Sequence, residues 1–370
     1  MRTSSVMPLI WAAISAHGFG HAAQVVPVLN ALGSVVPGLR VLLRTTVPAS
    51  FFSGRLNLPW EISPVQQDVG CIQQGPMTIN LEATWREHHQ FHHTWDERLR
   101  TEITSMKALQ PDLVLADTPY LALAAGHAAS IPTVALVSFT WDLILSEYQI
   151  PPSIDGQAII QSIRQAYRQT DLALRITPSP TLECFNRIIT IHPIAEPATP
   201  ARKELAEFLA LTPGERTVLI GFGGIPLTSL PFERVESLPG YRFLFDGSTP
   251  TNSKRFISIK SLPFSFKTLL SSVDMIMTKP GYGTLVEAVA LDIPTVYVRR
   301  HNFGDEQSLV DYLHRYGKGI ELSMDDFMKG QWAATLEKAI HLPTTTPPPE
   351  PRGASDAATI LTPYFKGSQS

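Results

Sequence analysis

Short apolar runs alternate with helical patterns through the first half of the chain. Runs typical of buried strands occupy Leu9–Ile14, Leu39–Leu43, Pro111–Ala116 and Thr133–Ser138. Helical patterns lie between them at Gln24–Leu32, Leu81–Leu109 and Tyr120–Ser130. Strand–helix–strand repetition of this kind predicts a doubly wound parallel sheet. Because ligands in such sheets bind at the carboxyl ends of the strands, the turn His17–His21 and Asp117 should share one edge.

A proline-bearing segment, Ile191–Arg202, interrupts this pattern and predicts a domain boundary. Beyond it the alternation restarts, with strands predicted at Thr217–Ile220, Tyr241–Phe245, Phe256–Ile259, Met275–Met277 and near Gly319–Leu322. We therefore predict a Rossmann-like domain at residues 1–195 and a second at residues 196–343. Residues 344–370 read as a proline-rich linker and a last helix, about Ala354–Phe365, that could pack back on the first domain.

Composition narrows the class of protein. The 370 residues are 44% hydrophobic and 17% charged, which fits buried parallel sheets, and a net charge of −3 without a basic block argues against nucleic acid. Two distant cysteines, Cys71 and Cys184, favour neither a disulfide framework nor a cysteine-based zinc site. We read the apolar start of the chain as a strand rather than an export signal and expect a cytoplasmic protein. Peripheral membrane association is left open.

One stretch within the predicted second domain points to an anionic ligand. It reads MTKPGYGTLVEAVALDIPTVYVRR from Met277 to Arg300, a strand end followed by a glycine-bearing turn, a helix and a second strand. Main-chain N–H groups and the helix dipole favour a phosphate at such a turn, and Lys279 adds a cation. Thr284 and Glu287 are spaced for a capping box, although Glu287 could equally accept a ribose hydroxyl. The alternative is an ordinary strand–turn–helix junction.

The N-terminal turn HGFGHAA offers two readings. Gly18, Gly20 and Ala23 loosely match a dinucleotide fingerprint, but Arg44 stands where an acid would hold the ribose, so a dehydrogenase is kept only as an alternative. A histidine on this edge is positioned to act as a general base, and Asp117 could orient its ring. The alternative for both residues is helix capping.

A histidine cluster in the predicted helix Leu81–Leu109 could in principle bind zinc. It consists of His88, His89, His92 and His93. No HExxH arrangement accompanies it, and aromatic residues interleave, so we favour a helix that lines a cleft over a metal site. Trp141 and Asp142 are read as packing or as part of a cleft wall. We predict no metal.

These segments resemble GT-B glycosyltransferases. The donor-binding signature of this group, which includes plant UDP-glycosyltransferases, the peptidoglycan GlcNAc-transferase and the galactolipid synthases, is similar to TKPGYGTLVEAVALDIPTVYVRR…DEQ. The turn that carries their catalytic histidine is similar to SAHGFGHAAQVVPVL. The N-terminal glycosyltransferase-like region of plant L-arabinokinases is similar to the combination HGFGH…FTWDLI…GFGGIP…GYGT…VRR, from about Leu9 to Leu322. Only that region is matched, so no sugar kinase activity is implied.

The resemblance implies an α/β GT-B fold of two facing Rossmann-like domains with a deep interdomain cleft. It makes His21 the base and Asp117 its partner. Glu287 would bind the ribose, and Glu306 and Gln307 the donor sugar. Further donor contacts would come from Gly18, Gly20, Gly223, Gly224, Phe264, Lys279, Gly281, Tyr282, Gly283 and Thr284. Plant enzymes carry histidine where Lys279 stands.

The function so implied is inverting transfer of a sugar from a nucleoside diphosphate sugar, with UDP the expected nucleotide, to a hydroxyl acceptor. The acceptor would be a small molecule, lipid or glycan, and neither a cofactor nor a metal is expected. Two alternatives use the same fold: a non-catalytic nucleotide-sugar binding module and a nucleotide-sugar epimerase.

Overall fold

The structure is a computed structural model that describes residues 7–75, 77–223, 230–300 and 302–369, without the side chains of residues 366–369. The chain forms two compact units. The first comprises the described residues of 1–72, 79–194 and 351–370, and the second those of 73–78 and 195–350.

Each unit contains one parallel sheet. Within the described residues, the strands of the first unit have the order β3-β2-β1-β4-β5-β6-β7 and those of the second β10-β9-β8-β11-β12-β13. The strands are β1 (Leu9–Ile14), β2 (Arg40–Arg44), β3 (Trp60–Ser63), β4 (Leu113–Asp117), β5 (Thr133–Val137), β6 (Leu172–Ile176), β7 (Ile188–Ile191), β8 (Arg216–Ile220), β9 (Tyr241–Phe245), β10 (Phe256–Ser258), β11 (Met275–Thr278), β12 (Thr295–Tyr297) and β13 (Gly319–Glu321).

Helices connect the strands. They are α1 (Phe19–Val35), α2 (Ala49–Phe52), α3 (Leu81–His93), α4 (Trp95–Leu109), α5 (Tyr120–Ala128), α6 (Trp141–Ser146), α7 (Gly156–Arg168), α8 (Arg202–Phe208), α9 (Phe232–Val235), α10 (Phe266–Ser272), α11 (Tyr282–Ala290), α12 (Glu306–Tyr316), α13 (Met324–Lys329), α14 (Ala333–Ile340) and α15 (Gly353–Leu361). Short 3₁₀ helices occupy Ile259–Ser261 and Thr362–Gln369.

The central strands are apolar along their whole length, as expected for parallel strands that are covered on both faces. Every residue of β4, β5 and β11 is buried. In each sheet the order of connection reverses between two central neighbours, β1 and β4 in the first and β8 and β11 in the second. Ligands of open parallel sheets bind beside the carboxyl ends of such a pair. The predicted motifs follow these four strands.

The long helix predicted over Leu81–Leu109 is wrong in one respect, because the chain bends at Thr94 and forms α3 and α4. Thr94 has φ −106° and ψ 18°, and its hydroxyl donates to the carbonyl of Phe91 and accepts from Nε of Arg98. These local bonds compete with the helical ladder. The sequence reading also assigned no strands to β3, β6 and β7.

The C-terminal helix lies in the first unit. Helix α15 packs against α1, and an isolated bridge joins Arg352 to Ile194. The carboxylate of Asp356 accepts from the backbone N–H of His192 at 3.1 Å and contacts its Nδ1 at 2.6 Å. The chain therefore returns to the first unit after completing the second. Within the described part of the chain, no helix is both long and apolar enough to cross a membrane.

Candidate active site

His21 and Asp117 meet at the carboxyl edge of the first sheet. Strands β1 and β4 are neighbours with Ile14 opposite Asp117, and the turn after β1 leads into the first turn of α1, which carries His21. Nδ1 of His21 lies 2.9 Å from Oδ1 of Asp117. Both side chains are buried, with 6% and 1% of their surfaces exposed. A hydrogen on Nδ1 that is donated to Asp117 makes Nε2 the ring atom that can accept a proton.

The capping alternatives for these two residues are wrong. Helix α1 begins after Gly18 without a side-chain cap, and His21 lies inside the helix. Helix α5 begins after Pro119, also without a side-chain cap, so Asp117 does not cap it. A Cβ added to Gly18 or Gly20 would meet no atom within 4 Å. The space beside both glycines is therefore free of other protein atoms.

A second buried carboxylate accompanies the pair. Asp68, in the loop after β3, accepts a hydrogen bond from Nε1 of Trp141 at 2.7 Å and one from the hydroxyl of Ser15 at 3.2 Å. Burial raises the pKa of Asp68, and the negative charge of Asp117 raises it further. The hydrogen bonds from Trp141 and Ser15 and the charge of His21 lower it in part. Burial also raises the pKa of Asp117, and His21 offsets this in part. One imidazole thus interacts with two carboxylates.

Backbone strain accompanies the same edge. Thr118, directly after Asp117, has φ +66°, which is uncommon for a β-branched residue. Its carbonyl accepts from the hydroxyl of Tyr167 at 2.7 Å, and its hydroxyl donates to the carbonyl of Asp117 at 2.7 Å. Strained residues that neighbours hold in place cluster at functional sites. This observation favours a functional edge over a plain strand end.

In the second unit, helix α11 begins directly after the turn that follows β11. Its N-cap is Gly281, no side chain caps it, and its first turn contains no acid. The predicted capping box is therefore wrong, since Thr284 already lies inside the helix. A Cβ on Gly283 would meet no atom within 4 Å. The first N–H groups of α11 have no side-chain cap, and there is free space beside Gly283. A binding site for an anion at a helix N-terminus requires both features.

Lys279 lies beside this helix terminus. A Cβ built on Gly223, whose φ is +84°, would lie 3.9 Å from Nζ of Lys279, so the turns after β8 and β11 are adjacent. Burial and the charge of Arg300 lower the pKa of Lys279 to about 7, and the charges of Glu306 and Asp305 oppose this. Gly224, the other glycine predicted in this turn, lies outside the described residues.

Glu287 lies on the buried side of α11 and forms an ion pair. Its Oε1 is 2.9 Å from Nζ of Lys267 on α10, and Nζ also donates to the carbonyl of Glu196 at 3.3 Å. Burial raises the pKa of Glu287, and Lys267 lowers it. A ribose hydroxyl that binds Glu287 would therefore meet a carboxylate that Lys267 already holds in place. Sequence reasoning missed Lys267 because no motif includes it.

The remaining predicted donor residues occupy different surroundings. Glu306 is 1% exposed and accepts from the backbone N–H and Nε of Arg300, at 3.2 and 2.5 Å. Gln307 is exposed and donates to Asp311 at 2.7 Å. Phe264 is half-buried on the hydrophobic core of its unit. Glu306 thus anchors the arginine whose charge acts on Lys279, while Gln307 bonds within its own helix and Phe264 packs on the core.

Arg44 cannot serve the alternative dehydrogenase reading. Its guanidinium is buried, stacks over Trp11 at 4.8 Å, and forms an ion pair with the buried Glu102. It also donates to the hydroxyl of Ser63 at 2.5 Å. A 2′-phosphate would have to displace this internal ion pair. Arg44, the residue whose position suggested NADP, therefore serves to hold the first unit together.

The histidine cluster is divided between core and surface. His88 is fully buried, and neither ring nitrogen has a hydrogen-bond partner among the described residues. His92 contacts the rings of Trp95 and Tyr120 at centroid distances of 5.4 and 5.6 Å, and these two rings also contact each other at 5.8 Å. His89 and His93 are exposed. Among the residues that the structure describes, no group of three or more histidine, cysteine or acidic side chains could hold a metal.

This burial predicts loss of stability in acid. Burial lowers the pKa of His88 to about 3 and that of His92 to about 4, and His92 contributes to the shift of His88. Below the ordinary histidine pKa of 6.5 the unfolded chain binds protons that the folded chain excludes, so the free energy of unfolding falls as pH falls. Each pKa unit corresponds to roughly 1.4 kcal/mol, so His88 alone should cost about 3 kcal/mol between pH 6.5 and 4.

Urea unfolding at a series of pH values measures this effect. His88→Leu should reduce the pH dependence over that range by the part that His88 contributes and leave the part due to His92, whereas His89→Leu, an exposed residue on the same helix, should leave it unchanged. An equal slope in the wild type and in His88→Leu would show that another group causes the acid sensitivity.

Known proteins resemble this chain in sequence and in fold. No family model matches the chain. It is 28% identical over 339 residues to L-arabinokinase from Arabidopsis thaliana, which covers 89% of this chain but only 32% of that protein.

Solved structures resemble the whole chain. A UDP-glucosyltransferase from Polygonum tinctorium has a TM-score of 0.59 at 14% identity, covering 99% of this chain and 95% of its own. The calicheamicin glycosyltransferase CalG4 has a TM-score of 0.59 at 14% identity, with 98% and 95% covered. The glycosyltransferase VinC, in complex with dTDP, has a TM-score of 0.56 at 17% identity, with 96% and 95% covered. The chain therefore has the GT-B fold of two Rossmann-like domains, as its sequence predicts.

Proposed function

We propose that the chain is a glycosyltransferase that moves a sugar from a nucleoside diphosphate sugar to a hydroxyl acceptor with inversion. The 2.9 Å contact between His21 and Asp117 carries this proposal, because a buried imidazole oriented by a carboxylate is suited to accept a hydroxyl proton. A fold shared with glycosyltransferases supports sugar transfer in general terms. A protein that only binds nucleotide sugars would not need a buried pair of histidine and carboxylate.

In the proposed reaction the acceptor oxygen attacks the anomeric carbon as its proton passes to Nε2 of His21. The bond from that carbon to the phosphate oxygen breaks, and the diphosphate leaves with the electron pair. Asp117 stabilises the imidazolium that forms. In direct displacement the acceptor enters opposite the leaving group, so the anomeric configuration inverts.

The second unit would hold the donor. The N–H groups at the start of α11 and Lys279 would take the charge of the diphosphate, a role that a metal ion fills in other enzymes. Glu287 would accept the ribose hydroxyls, held in place by Lys267 at 2.9 Å. We propose UDP as the nucleotide on the likeness of this stretch to UDP-dependent enzymes, and dTDP is the first competitor because VinC is seen with it.

Nucleotide binding tests the donor half of this proposal. UDP should raise the thermal unfolding temperature of the wild type, since a ligand that binds only the folded state stabilises it. Glu287→Ala should weaken binding by roughly tenfold to a hundredfold, the value of hydrogen bonds to a charged group. Isothermal titration of UDP, dTDP, GDP and ADP against both proteins measures this. Glu233→Ala, an exposed glutamate of the same unit, is the control, and equal affinities in all three proteins would remove Glu287 from the site.

Turnover separates the rival functions. A glycosyltransferase releases nucleotide only when acceptor is present, apart from slow hydrolysis. An epimerase of the same fold would release nucleotide and an epimerised sugar without any acceptor. A binding module would bind donor and release nothing across a broad acceptor panel.

A further inference from the structure

The reaction described above gives Asp68 no role, yet this side chain is buried close to His21, the proposed base. It lies in the loop between β3 and α3, and 6% of its surface is exposed. Groups from three other segments surround its carboxylate: Trp141 Nε1 donates at 2.7 Å and the Ser15 hydroxyl at 3.2 Å, while the Thr118 hydroxyl, which donates mainly to the carbonyl of Asp117, lies 3.4 Å away. Ser15 and Thr118 directly follow β1 and β4. The carboxylate is thus fixed where those two strands end.

The loop that carries Asp68 is itself held closely against this edge. A Cβ on Gly70 would lie 2.3 Å from Nδ1 of His17, so only glycine fits there. Further along, Sγ of Cys71 contacts the hydroxyl of Tyr148 at 3.4 Å, and the N–H of Ile72 donates to the hydroxyl of Thr84 at 2.9 Å. The packing of the loop residues that follow Asp68 therefore helps to hold it in place.

A buried carboxylate is costly unless charge or hydrogen bonds compensate it. Asp68 and Asp117 both gain from the positive charge of His21, and each disfavours ionisation of the other because they are like charges in one buried place. Neutral His21 leaves the two carboxyls in opposition, whereas protonated His21 stabilises both. The two carboxylates therefore favour the proton-bearing form of the imidazole, against the desolvation that its burial imposes.

We propose that Asp68 is a positioning residue of the base site, the second carboxylate that stabilises the His21 imidazolium and fixes Trp141 against it. For the reaction this rests on the proposed function: the acceptor proton arrives on Nε2, and the resulting cation then has two carboxylates to interact with. Trp141 links the parts physically, since its ring lies 6.4 Å from that of His21 and 5.2 Å from that of His17.

Among the residues that the structure describes, three other titratable side chains face this cluster. His17 on the turn before α1 contacts Trp141 edge-on. Tyr120 on α5 and Tyr167 on α7 are fully buried, and burial raises the pKa of both phenols well above their usual range, with a contribution from Asp68. Neither phenol therefore ionises in the neutral range, and the proton-binding groups there are His21, His17 and the two carboxyls.

A nuclear magnetic resonance titration of the histidine rings tests the proposal without any substrate. Isotope-labelled protein is titrated, and the His21 signals are assigned with His21→Gln. Asp68→Asn keeps the size of the side chain and an acceptor for Trp141 but removes the charge. It should move the midpoint of the His21 titration to lower pH by about one unit, the lower end of the effect of a close opposite charge. An unchanged midpoint would overturn the proposal.

A matched control is Asp142→Asn. Asp142 is also buried at 6% exposure and lies next to Trp141 in sequence, but it pairs with Arg164 at 3.0 Å. This variant should leave the His21 midpoint in place, and an equal shift would show that any lost carboxylate has the same effect, which would also overturn the proposal.

If Asp68→Asn does not fold, the wild type still decides the question. The indole N–H of Trp141, assigned with Trp141→Phe, reports on Asp68 and should shift in the same pH step as the His21 ring. An indole signal that does not change through this step contradicts the proposal. Because these titrations need no donor or acceptor, absence of transfer would count against the proposed function and not against the role of Asp68. Where transfer is observed, the pH profile of kcat/KM in Asp68→Asn should move with the His21 midpoint.

Discussion

His21→Ala is expected to lower kcat for sugar transfer by about 10³-fold, the middle of the range for loss of a general base. The acceptor hydroxyl has a pKa far above neutrality, so without a base its proton must leave unaided as the new bond forms. The affinity for nucleotide should not change, because the proposed donor residues Glu287 and Lys279 belong to the other unit. This split between chemistry and binding is the signature of a base.

Initial rates of nucleotide release with saturating donor and acceptor measure the first quantity, and titration calorimetry with UDP measures the second. His127→Ala removes an exposed histidine at the end of α5 and should retain full activity. His17→Ala discriminates between the two histidines of the turn. Full activity of His21→Ala together with an inactive His17→Ala would transfer the role of base to His17.

The topology of the site could be predicted because local patterns determine it. Apolar runs and helical spacing identify β1, β4, β8 and β11, and parallel connection then places their carboxyl ends on one edge of each sheet. His21 and Asp117 are about a hundred residues apart in sequence, yet this argument alone puts them on one edge. The observed distance of 2.9 Å needs the added register of Ile14 opposite Asp117.

Other parts of the site could not be predicted, since no periodic pattern encodes them. Asp68 lies in an irregular loop whose path depends on long-range contacts, such as the fit of Gly70 against His17. Lys267 and Arg300 become informative only when α10 and the loop after β12 are placed beside α11. The capping box failed for a different reason. Thr284 and Glu287 have the spacing of a capping box, which predicts a helix start at Thr284, whereas the helix begins two residues earlier, at Tyr282.

Lys279→Arg is expected to remove a proton uptake that accompanies donor binding to the wild type. Burial and Arg300 hold the pKa of Lys279 at about 7 in the free protein, so roughly half of the molecules carry a neutral amine at pH 7. A bound diphosphate places negative charge near the amine and raises its pKa, so the amine takes up a proton as the ligand binds. Arginine stays charged throughout this range and takes up none.

The direction of this pKa shift determines how the affinity for the donor depends on pH. At pH 6 the amine is already protonated and binding takes up almost nothing, while near pH 8 uptake approaches one proton. Affinity should therefore fall with rising pH, by up to about tenfold per pH unit between 7 and the pKa of the bound form. An enzyme with a permanently charged residue at this position would show no such loss.

Calorimetry in buffers of different ionisation enthalpy measures the number of protons taken up. A nucleotide sugar is the better ligand, because its diphosphate is esterified at both ends and does not itself titrate near neutrality. We expect the uptake in the wild type to rise from near zero at pH 6 towards one proton per ligand at pH 8, from the shift of Lys279 alone. Lys254→Arg, an exchange at an exposed lysine of the same unit, should keep this uptake. Heats that do not depend on the buffer in the wild type would mean that Lys279 stays apart from the diphosphate, and the charge would then have to be met by the N–H groups of α11 and Arg300.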